Sequence, residues 1–326
     1  SSETVILDVE WTEGGVQRTG EYVARVAPAA EDVPVFPQYA LTDQYEVMRL
    51  VGELTDIPVP AVRWLESTGQ VIGSPFFLMD RVDGIVPPDV MPYTFGDNWL
   101  FDAPADRRRQ LQDGSVGVLA RLHAITEPER TAGFLAPRHP GETMLARNLA
   151  ATRAWYEWAA ADLDRSPLID RALGWLEANL PSTSDNVVVW GDARIGNTMY
   201  RDFEPVAVLD WEMATLGDPL LDLGTAMGYW IEAGDHPAFR ALGLGVTALP
   251  GNFTRAELWT RYLTVSGRGP VDPTFYRIFG LFKIAVIAQQ IFARYRVGLA
   301  SDPRFARLGD AVALLATTGS AALPRD

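Results

Sequence analysis

The chain has 326 residues, no cysteine and a formal charge of −14, and 48% of its residues are hydrophobic while 21% are charged. This composition is that of a globular protein long enough for two packed lobes, and it excludes a disordered chain, disulfides and thiolate metal sites. The acidic excess disfavours nucleic acid and anionic membranes as partners, and the lack of cysteine and of an apolar N-terminal run with basic flanks favours a cytoplasmic protein.

The first 80 or so residues predict a small β-sheet with one helix. Alternating, β-branched segments predict the strands, and apolar residues at helical spacing predict a helix that ends before Pro58 and Pro60. Gly14 and Gly15 provide the turn between the first two strands. The predicted elements are strands at 5–11 and 21–26, a helix at 41–54, and strands at 62–66 and 75–79.

Helical periodicity dominates after residues 82–88, which we interpret as the linker between a nucleotide-binding lobe at 1–84 and a larger lobe at 85–326. A short hairpin pattern, with strands at 198–201 and 206–209, is the exception. The most apolar helix candidate, 279–292, contains three polar residues and falls short of the roughly 20 apolar residues that cross a bilayer. The predicted helices lie at 107–123, 146–161, 167–180, 219–233, 255–263, 273–297 and 303–317.

The hairpin carries the most informative side chains of the chain. Asn197 follows Asp192 by five residues, and Asp210 follows Asn197 by thirteen. If the turn is centred between Phe203 and Glu204, Asn197 and Asp210 face each other at the open end, with Cα atoms roughly 4.5–5.5 Å apart. Two oxygen ligands at that separation can share a hard cation such as Mg²⁺, and Asp192, one loop earlier, can accept a proton.

The same order of residues occurs in kinases, where a catalytic aspartate precedes a metal-binding asparagine and, after a hairpin, a metal-binding aspartate. The alternative is an ordinary hairpin with polar residues at its base, where Asp and Asn are common. Three matched positions with strands between them favour the kinase-like site. The acidic charge of the chain either serves solubility or favours a cationic substrate.

With these motifs, the chain resembles the aminoglycoside phosphotransferase family of small-molecule kinases, and within it the branch that includes acyl-CoA-dehydrogenase-associated kinase domains. The similarity covers about residues 5–229 and is strongest over 187–223. It implies an α+β, bilobal, protein-kinase-like fold, with a small N-terminal β-sheet lobe and a larger, mainly helical C-terminal lobe. The supporting segments are Pro75-Phe76-Phe77-Leu78-Met79, Leu122-His123, Leu209-Asp210-Trp211-Glu212 and Gly217-Asp218-Pro219.

The resemblance implies that Asp192 is the catalytic base and that Asn197 and Asp210 bind Mg²⁺. The family's phosphate-binding strand lysine corresponds to Arg25, which either grips phosphate bidentately or is a solvent-facing strand charge. Lys283 is the only lysine of the chain. A role that usually falls to lysine must therefore go to arginine or be missing.

The resemblance also implies an acidic partner for Arg25 on the following helix. The aligned residue is Gln44, and Glu46 lies two positions on, about 200° around the helix. We favour Glu46, because a carboxylate suits an arginine better than an amide does. Adenine is expected to bind backbone groups of Asp80 and Val82, in a pocket lined by Met79.

Two further acids have supporting roles in this hypothesis. Asp222 matches a position that braces the catalytic loop, whereas Glu212 either contacts the metal through water or caps the following segment. The histidines show no metal-ligand spacing and are interpreted as structural or surface residues; they are His123, His139 and His236.

Two features depart from the family pattern. Trp190 occupies the place of a histidine before the catalytic Gly-Asp pair, which removes a hydrogen-bonding ring. The Gly-rich phosphate loop is not visible, and residues 1–4 look like its end, entering the second strand of the lobe. Either the first strand and this loop are missing from the present sequence or the loop is absent.

The sequence therefore predicts a kinase that uses ATP and Mg²⁺ to phosphorylate a hydroxyl of a small molecule. The acceptor is either an aminoglycoside or another antibiotic, which implies antibiotic resistance, or a metabolite or hydroxyacyl compound. The alternative is a catalytically weak or inactive kinase-like module that binds a nucleotide. Several aromatic residues either form a wall of the acceptor pocket or belong to the core; they are Trp155, Tyr156, Trp158, Tyr229 and Trp230. The acceptor and the oligomeric state do not follow from the sequence.

Overall fold

The computed structural model describes residues 2–28, 39–87, 98–161, 165–235, 237–240, 245–298, 305–306 and 308–322. Its first elements are β1 Glu3–Glu13, β2 Val16–Val26, α1 Leu41–Leu54, β3 Val62–Glu66 and β4 Phe76–Asp80. The four strands form one antiparallel sheet in the order β1-β2-β4-β3, and α1 packs against β3 and β4. The predicted small sheet with one helix is confirmed.

The register of this sheet decides which side chains face the interior cleft. Thr4 pairs with Arg25, and Arg25 pairs with Phe77. Because directly opposed residues of antiparallel strands share a face, these three side chains point the same way. Val23 and Met79, also paired, lie two residues along on the same face. The sheet therefore presents Arg25 and Met79 together.

The C-terminal part is mainly helical and contains most of the hydrophobic core. Its helices are α2 Trp99–Asp102, α3 Ala105–Leu122, α4 Pro128–Thr131, α5 Met144–Ala159, α6 Pro167–Ala178, α7 Leu220–Tyr229, α8 Pro237–Arg240, α9 Arg255–Val265, α10 Thr274–Arg296 and α11 Leu308–Ala322. Helix α10 packs against α5, α6, α7 and α11. Of the helices that the structure describes, α10 alone has the length and composition to cross a bilayer, yet most of it is buried inside the protein, as in a core helix.

Most helices lie within a few residues of their predicted bounds. The prediction for 219–233 was too long, because the chain becomes extended at Trp230, where φ is −79° and ψ is 127°. The predicted start at Pro303 lies outside the described residues, as do Pro88 and His236.

Four short strands lie among these helices. β6 Thr198–Arg201 and β7 Glu204–Val208 form the predicted hairpin, whereas β5 Val187–Val189 pairs with β8 Thr215–Gly217. The sequence pattern does not predict β5, because its three valines are buried on both faces and show no alternation. The β5–β8 pair leads the chain directly into the segment that contains Asp192.

The register of the hairpin differs from the expected one. Asp202 and Phe203 form the two-residue turn, with φ of 51° and 66°. Asn197 lies opposite Leu209, whose amide donates to the Asn197 carbonyl oxygen at 2.8 Å. Asp210 lies one residue further along the chain. The expectation that Asn197 and Asp210 form an opposed pair is therefore wrong, although both lie at the open end.

Two glycines allow α7 and α10 to approach closely. A Cβ atom on Gly280 would lie 1.9 Å from the carbonyl oxygen of Gly224, and a Cβ atom on Gly224 would lie 2.1 Å from that of Tyr276. The two backbones are therefore in direct contact. This contact brings Asp222 on α7 and Lys283 on α10 beneath the same loop after β5.

Replacing Gly280 with alanine is expected to lower the free energy of unfolding by about 1–3 kcal/mol, because the new methyl group has no space. Gly174 in α6 is the matched control, since nothing lies within 4 Å of its Cβ position. Gly174→Ala should stabilise the protein by roughly 0.5–1 kcal/mol through helix propensity. Urea unfolding followed by circular dichroism measures both changes, and equal effects would contradict the close packing of α7 and α10.

Candidate active site

The loop that follows β5 is anchored by a buried carboxylate. Asp222, in the first turn of α7, accepts hydrogen bonds from the amides of Trp190 and Gly191, both at 2.8 Å. Its Oδ2 lies 3.0 Å from His123 Nε2, and His123 Nδ1 lies 2.6 Å from the Tyr262 hydroxyl. Asp222 has no exposed surface, so these donors replace the water that it has lost. The structure therefore places Asp222 where a brace of the catalytic loop would act.

Three side chains surround the carboxylate of Asp192. Asn197 Nδ2 donates to its Oδ2 at 2.7 Å, and Arg194 Nε donates to the same oxygen at 3.0 Å. The Tyr229 hydroxyl donates to Oδ1 over a longer distance of 3.4 Å. The guanidinium of Arg194 also lies over the Tyr229 ring, 5.6 Å from its centroid. Asp192 and Asn197 are therefore in direct contact, and one oxygen of Asp192 is engaged more weakly than the other.

Asp210 occupies an unusual position at the end of β7. Its φ of 58° lies in the left-handed region, which residues other than glycine seldom adopt. Among the described residues, none donates a hydrogen bond to its buried Oδ1, and Arg25 Nη2 lies 3.6 Å away. Burial, and then the nearby carboxylate of Glu212, raise the pKa of Asp210 from 3.8 to about 6. The guanidinium of Arg25 therefore compensates the negative charge of Asp210 only in part.

An ion pair joins the sheet to the segment after Asp210. Arg25 Nη2 lies 2.6 Å from Glu212 Oε1, which also accepts from the Ser2 hydroxyl at 3.0 Å. Arg25 Nη1 donates to the Thr4 hydroxyl at 3.0 Å. The Glu212 side chain is only 3% exposed. Arg25 is thus held over Asp210 and does not point to solvent.

A divalent cation would fit this arrangement. Asp210 Oδ1 and Glu212 Oε2 are both buried and have no hydrogen-bond donor within the described part of the chain. Such oxygen atoms are ligands for hard cations, and Mg²⁺ takes few of them from protein, the rest coming from phosphate and water. The described residues contain no group of three or more His, Cys, Asp or Glu side chains that could enclose a metal. These two oxygen atoms could therefore bind a divalent cation that takes its other ligands from outside the protein.

Helix α1 does not supply the acid expected for Arg25. Gln44 is 4% exposed and lines the cleft, whereas Glu46 accepts hydrogen bonds from Arg49 on the outer side of the helix, at 2.9 Å for Nη2. The preference for Glu46 over Gln44 is thus wrong. Two positions on one helix that point about 200° apart cannot both face the cleft, and Glu46 is stabilised by its neighbouring arginine. The carboxylate that meets Arg25 is Glu212.

The other residues of the predicted nucleotide site line the cleft between the sheet and the helical part. Met79, Asp80 and Val82 line it together with Arg25 and Asp210. The Asp80 carboxylate pairs with Arg63 at 2.7 Å, and its amide donates to the Ala61 carbonyl at 2.9 Å. The side chain and the amide of Asp80 are therefore both engaged within the sheet.

Trp190, which stands where a histidine was expected, makes a side-chain hydrogen bond of its own. Its Nε1 donates to the Leu209 carbonyl at 2.9 Å, and its ring lies 6.0 Å from that of Trp211. The indole thus links the loop before Asp192 to the residue before Asp210.

The glycines at 14 and 15 form the tip of the β1–β2 hairpin, ten residues from Arg25. At about 3.3 Å per residue, this tip lies roughly 33 Å away and cannot contact a phosphate held by Arg25.

A second, largely apolar cavity adjoins the loop. Tyr229 and Trp230, two of the residues that the sequence leaves as either acceptor wall or core, line it with Trp190 and several aliphatic side chains. Arg194 is the one charged residue among the described residues that line it. The aromatic residues of α5 lie elsewhere: Trp155 and Tyr156 are buried in the core and Trp158 is 37% exposed.

Sequence reasoning missed three residues around Asp192. It assigned no role to Arg194, although its position two residues after Asp192 was a signal. It placed Tyr229 in a pocket wall without predicting the contact with Asp192. It noted Lys283 as the only lysine, but nothing in the sequence shows that its Nζ donates to the Gly191 carbonyl.

An antiparallel sheet above a helical lobe, with two aspartates and an asparagine at their junction, defines a small-molecule kinase fold. The chain belongs to the phosphotransferase enzyme family, whose model matches residues 10–259. The resemblance inferred from the sequence motifs is thereby confirmed.

Curated relatives confirm the branch. The chain is 30% identical to acyl-CoA dehydrogenase family member 11 of Gallus gallus, with 88% of this chain and 36% of the relative covered. It is 28% identical to acyl-CoA dehydrogenase family member 10 of Mus musculus, with 86% and 25% covered. It is 26% identical to the probable acyl-CoA dehydrogenase IBR3 of Arabidopsis thaliana, with 94% and 37% covered. The chain thus spans between 25% and 37% of the length of these relatives.

Solved structures confirm the fold. A putative aminoglycoside phosphotransferase from Ralstonia eutropha JMP134 has a TM-score of 0.70 and 24% identity, with 98% of this chain and 92% of that chain covered. A thermostable mutant of aminoglycoside phosphotransferase APH(4)-Ia in complex with AMP-PNP and hygromycin B has a TM-score of 0.55 and 15% identity, with 97% and 93% covered. The α+β fold, with its sheet and its helical part, is therefore shared.

The raised pKa of Asp210 predicts a pH-dependent loss of stability in magnesium-free solution. An unfolded aspartate releases its proton near pH 3.8, whereas Asp210 in the fold keeps its proton up to about pH 6. Between these values the folded protein binds more protons than the unfolded chain, so stability falls as the pH rises. Asp210→Asn lacks this loss, and its melting temperature relative to the wild type should increase from pH 4.5 to 7.

Asp8, an exposed aspartate on β1, provides the control. The difference in melting temperature between Asp8→Asn and the wild type should stay nearly constant over the same pH range. A constant difference for Asp210→Asn as well would contradict the protonation of Asp210 in the fold.

Proposed function

We propose that this chain is an ATP- and Mg²⁺-dependent phosphotransferase that transfers the γ-phosphate to a hydroxyl of a small molecule. The observation that carries the proposal is the convergence of Asp192, Asn197 and Asp210 at the open end of one hairpin, below a cleft that Arg25 lines. A proton acceptor, oxygen ligands for a cation and a guanidinium for phosphate are what phosphoryl transfer requires. Membership of the phosphotransferase enzyme family supports this reaction class. A cytoplasmic location is also part of the proposal, and the absence of cysteine supports it.

Asp192 orients the acceptor hydroxyl and accepts its proton. Its Oδ2 is engaged by Asn197 and Arg194, whereas within the described residues Oδ1 has only the long hydrogen bond from Tyr229. Oδ1 is therefore the oxygen that receives the proton. Asp222 holds the two amides immediately before Asp192, so the carboxylate cannot drift from the attacking oxygen. Such fixed geometry is a large part of the catalysis of phosphoryl transfer.

Asn197 and Asp210 would hold Mg²⁺, with Glu212 contributing through water. Mg²⁺ held there would supply positive charge to offset the negative charge of the phosphates. Arg25 grips the phosphates, because its planar guanidinium can bind two oxygens at once. Asp210 and Glu212 would repel a free nucleotide, so ATP is expected to bind together with Mg²⁺ rather than before it.

We assign the two lobes to residues 1–84 and 85–326. The adenine ring occupies the cleft between them. Met79 supplies an apolar wall, and the backbones of Asp80 and Val82 supply the polar contacts. This assignment is supported by the strand register, which presents Met79 on the same face as Arg25. A nucleotide that lies against Met79 extends its phosphates toward Arg25 and Asp210.

The hydroxyl-bearing end of the acceptor lies at the apolar cavity beside the loop, which at about 40 Å³ is too small to enclose a whole drug-sized molecule. The described lining of the cavity consists of aromatic and aliphatic residues with a few neutral polar groups, and Arg194 carries its one charge. A polycation would meet the Arg194 guanidinium there, and the neighbouring Asp192 carboxylate already accepts a hydrogen bond from Arg194. We therefore propose an uncharged or anionic alcohol with an apolar body, and not an aminoglycoside, as the acceptor. A role in antibiotic resistance is not part of this proposal.

The competing function is a nucleotide-binding module with little or no turnover. Arg194 favours it, because the guanidinium neutralises the carboxylate that would act as base. For the enzyme, we propose that Arg194 turns from the Asp192 carboxylate to the transferring phosphate when the substrates bind. Turnover therefore decides between the two functions.

Asp192→Asn is expected to lower kcat by about 10²–10⁴-fold, because proton transfer by a positioned base contributes that much. Its affinity for Mg²⁺·ATP should stay within about threefold of the wild type. Release of ADP, measured with a panel of hydroxylated compounds, gives kcat, and isothermal titration gives the affinity. Apolar and anionic alcohols should be phosphorylated, and aminoglycosides should not.

The matched control is Asp202→Asn, which changes an exposed aspartate in the turn of the same hairpin. It should keep both kcat and affinity. Nucleotide binding without turnover on every class of alcohol would support the binding module instead. Turnover of aminoglycosides alone would contradict the assignment of the acceptor.

The ion pair between Arg25 and Glu212 predicts a difference between two glutamates. Glu212→Gln should weaken the binding of Mg²⁺·ATP by about tenfold, because a charged hydrogen bond to Arg25 is worth roughly 1.5–3 kcal/mol. Glu46→Gln is the control and should have no effect, since Glu46 pairs with Arg49 on the outer side of α1. Titration calorimetry of the two variants measures this difference. A larger loss in Glu46→Gln would restore the acid of α1 as the partner of Arg25.

A further inference from the structure

Lys283 is a buried charge that the proposed reaction does not use. It lies on α10, in the centre of the C-terminal core, and its Nζ donates to the carbonyl oxygen of Gly191 at 2.5 Å. Burial lowers the pKa of Lys283, and the carboxylates of Asp222 and Asp192 oppose that shift. A buried ammonium costs several kcal/mol unless it is paired and hydrogen-bonded. An apolar side chain would avoid this cost, so packing alone does not account for a lysine here.

The atoms that Lys283 contacts belong to the peptide that leads into Asp192. The Gly191 amide donates to Asp222, and the Gly191 carbonyl accepts from Lys283. Gly191 has a φ of 89°, and a Cβ atom there would lie 1.9 Å from the carbonyl oxygen of Met213. The peptide planes on both sides of Gly191 are therefore held from the core, one by a carboxylate and one by an ammonium.

The orientation of the second peptide plane determines where the side chain of Asp192 points, because its nitrogen is the amide nitrogen of Asp192. Asp222 and Lys283 come from α7 and α10, whose backbones touch at Gly224 and Gly280. The packing of the two helices thus sets the spacing of the two charges beneath the loop.

We propose that Lys283 is a positioning residue for phosphoryl transfer, which holds the Gly191 carbonyl so that the Asp192 carboxylate faces the acceptor hydroxyl. The inference rests on the proposed function. Lys283 lies in the C-terminal core and does not line the nucleotide cleft. Its loss should therefore lower kcat and leave the affinity for Mg²⁺·ATP unchanged.

Three variants separate the hydrogen bond from the charge. Lys283→Met removes both and should lower kcat by about 10–100-fold, because a misplacement of roughly 1 Å can cost about 10²-fold. Lys283→Gln keeps a donor without the charge and should lower kcat less. Lys283→Arg keeps both and should recover most of the activity. Gln289→Met, a buried polar residue on the same helix, is the control and should keep kcat within about twofold.

A loss of less than twofold in Lys283→Met, or a loss that appears only in the KM for ATP, would overturn the proposal. Hydrogen exchange of the peptide that contains residues 190–197 gives a structural readout. Exchange there should accelerate in Lys283→Met and not in Gln289→Met.

The wild-type chain allows a test that does not depend on whether these variants fold. With one lysine in the chain, isotopically labelled lysine gives a single side-chain resonance. This Nζ resonance should show slow proton exchange and should shift in Asp192→Asn but not in Asp202→Asn. Rapid exchange, or no response to Asp192→Asn, would overturn the proposal. A wild-type protein that phosphorylates no alcohol would refute the proposed function, whereas the resonance would still report whether Lys283 holds the loop.

Discussion

Asp222 places a negative charge where water does not reach, and this charge is stable because two backbone amides and a histidine ring bind it. The cost of removing a carboxylate from water is offset only when each oxygen has donors. The two amides belong to the loop that ends in Asp192. The position of the loop is therefore coupled to the burial of Asp222. If the loop moved, the carboxylate of Asp222 would remain in the core without its two amide donors.

The opposite charge balance holds at Asp210 and Glu212, which follow the end of β7. Asp210 and Glu212 have buried oxygen atoms without donors among the described residues, and Arg25 alone pairs with both. Burial, and then the neighbouring carboxylate of Glu212, raise the pKa of Asp210 and so disfavour its negative charge. A loop held by the fully hydrogen-bonded carboxylate of Asp222 thus lies near an acidic pair that has oxygen atoms without donors among the described residues. The first suits a base that must stay in place, and the second suits a cation that must arrive and leave with a nucleotide.

Local patterns predicted most elements because their signals lie within a few residues. Helix α1 and strand β3 have the predicted bounds, since apolar spacing and the following prolines mark the helix and alternation marks the strand. Strands β5 and β8 were not predicted, because a strand that is buried on both faces shows no alternation of apolar and polar residues. The hairpin register differs from the expected one for two reasons. The turn at Asp202 and Phe203, which has positive φ, would alone place Asn197 opposite Val208, and the extra residue Val206 in a β-bulge then moves Asn197 opposite Leu209. A shift of this kind decides which residues oppose each other and leaves no trace in composition.

The sequence by itself determined the order and spacing of Asp192, Asn197 and Asp210, and with them the class of the protein. This was sufficient because all three lie on one loop and one hairpin, whose geometry follows from nearby residues. Only the tertiary structure decided which charges meet. Arg25 pairs with Glu212, 187 residues away, and not with the adjacent helix, and Lys283 reaches Gly191 across 92 residues. Such partners are selected by the packing of whole elements, above all the contact of Gly224 with Gly280, and no local pattern records that packing.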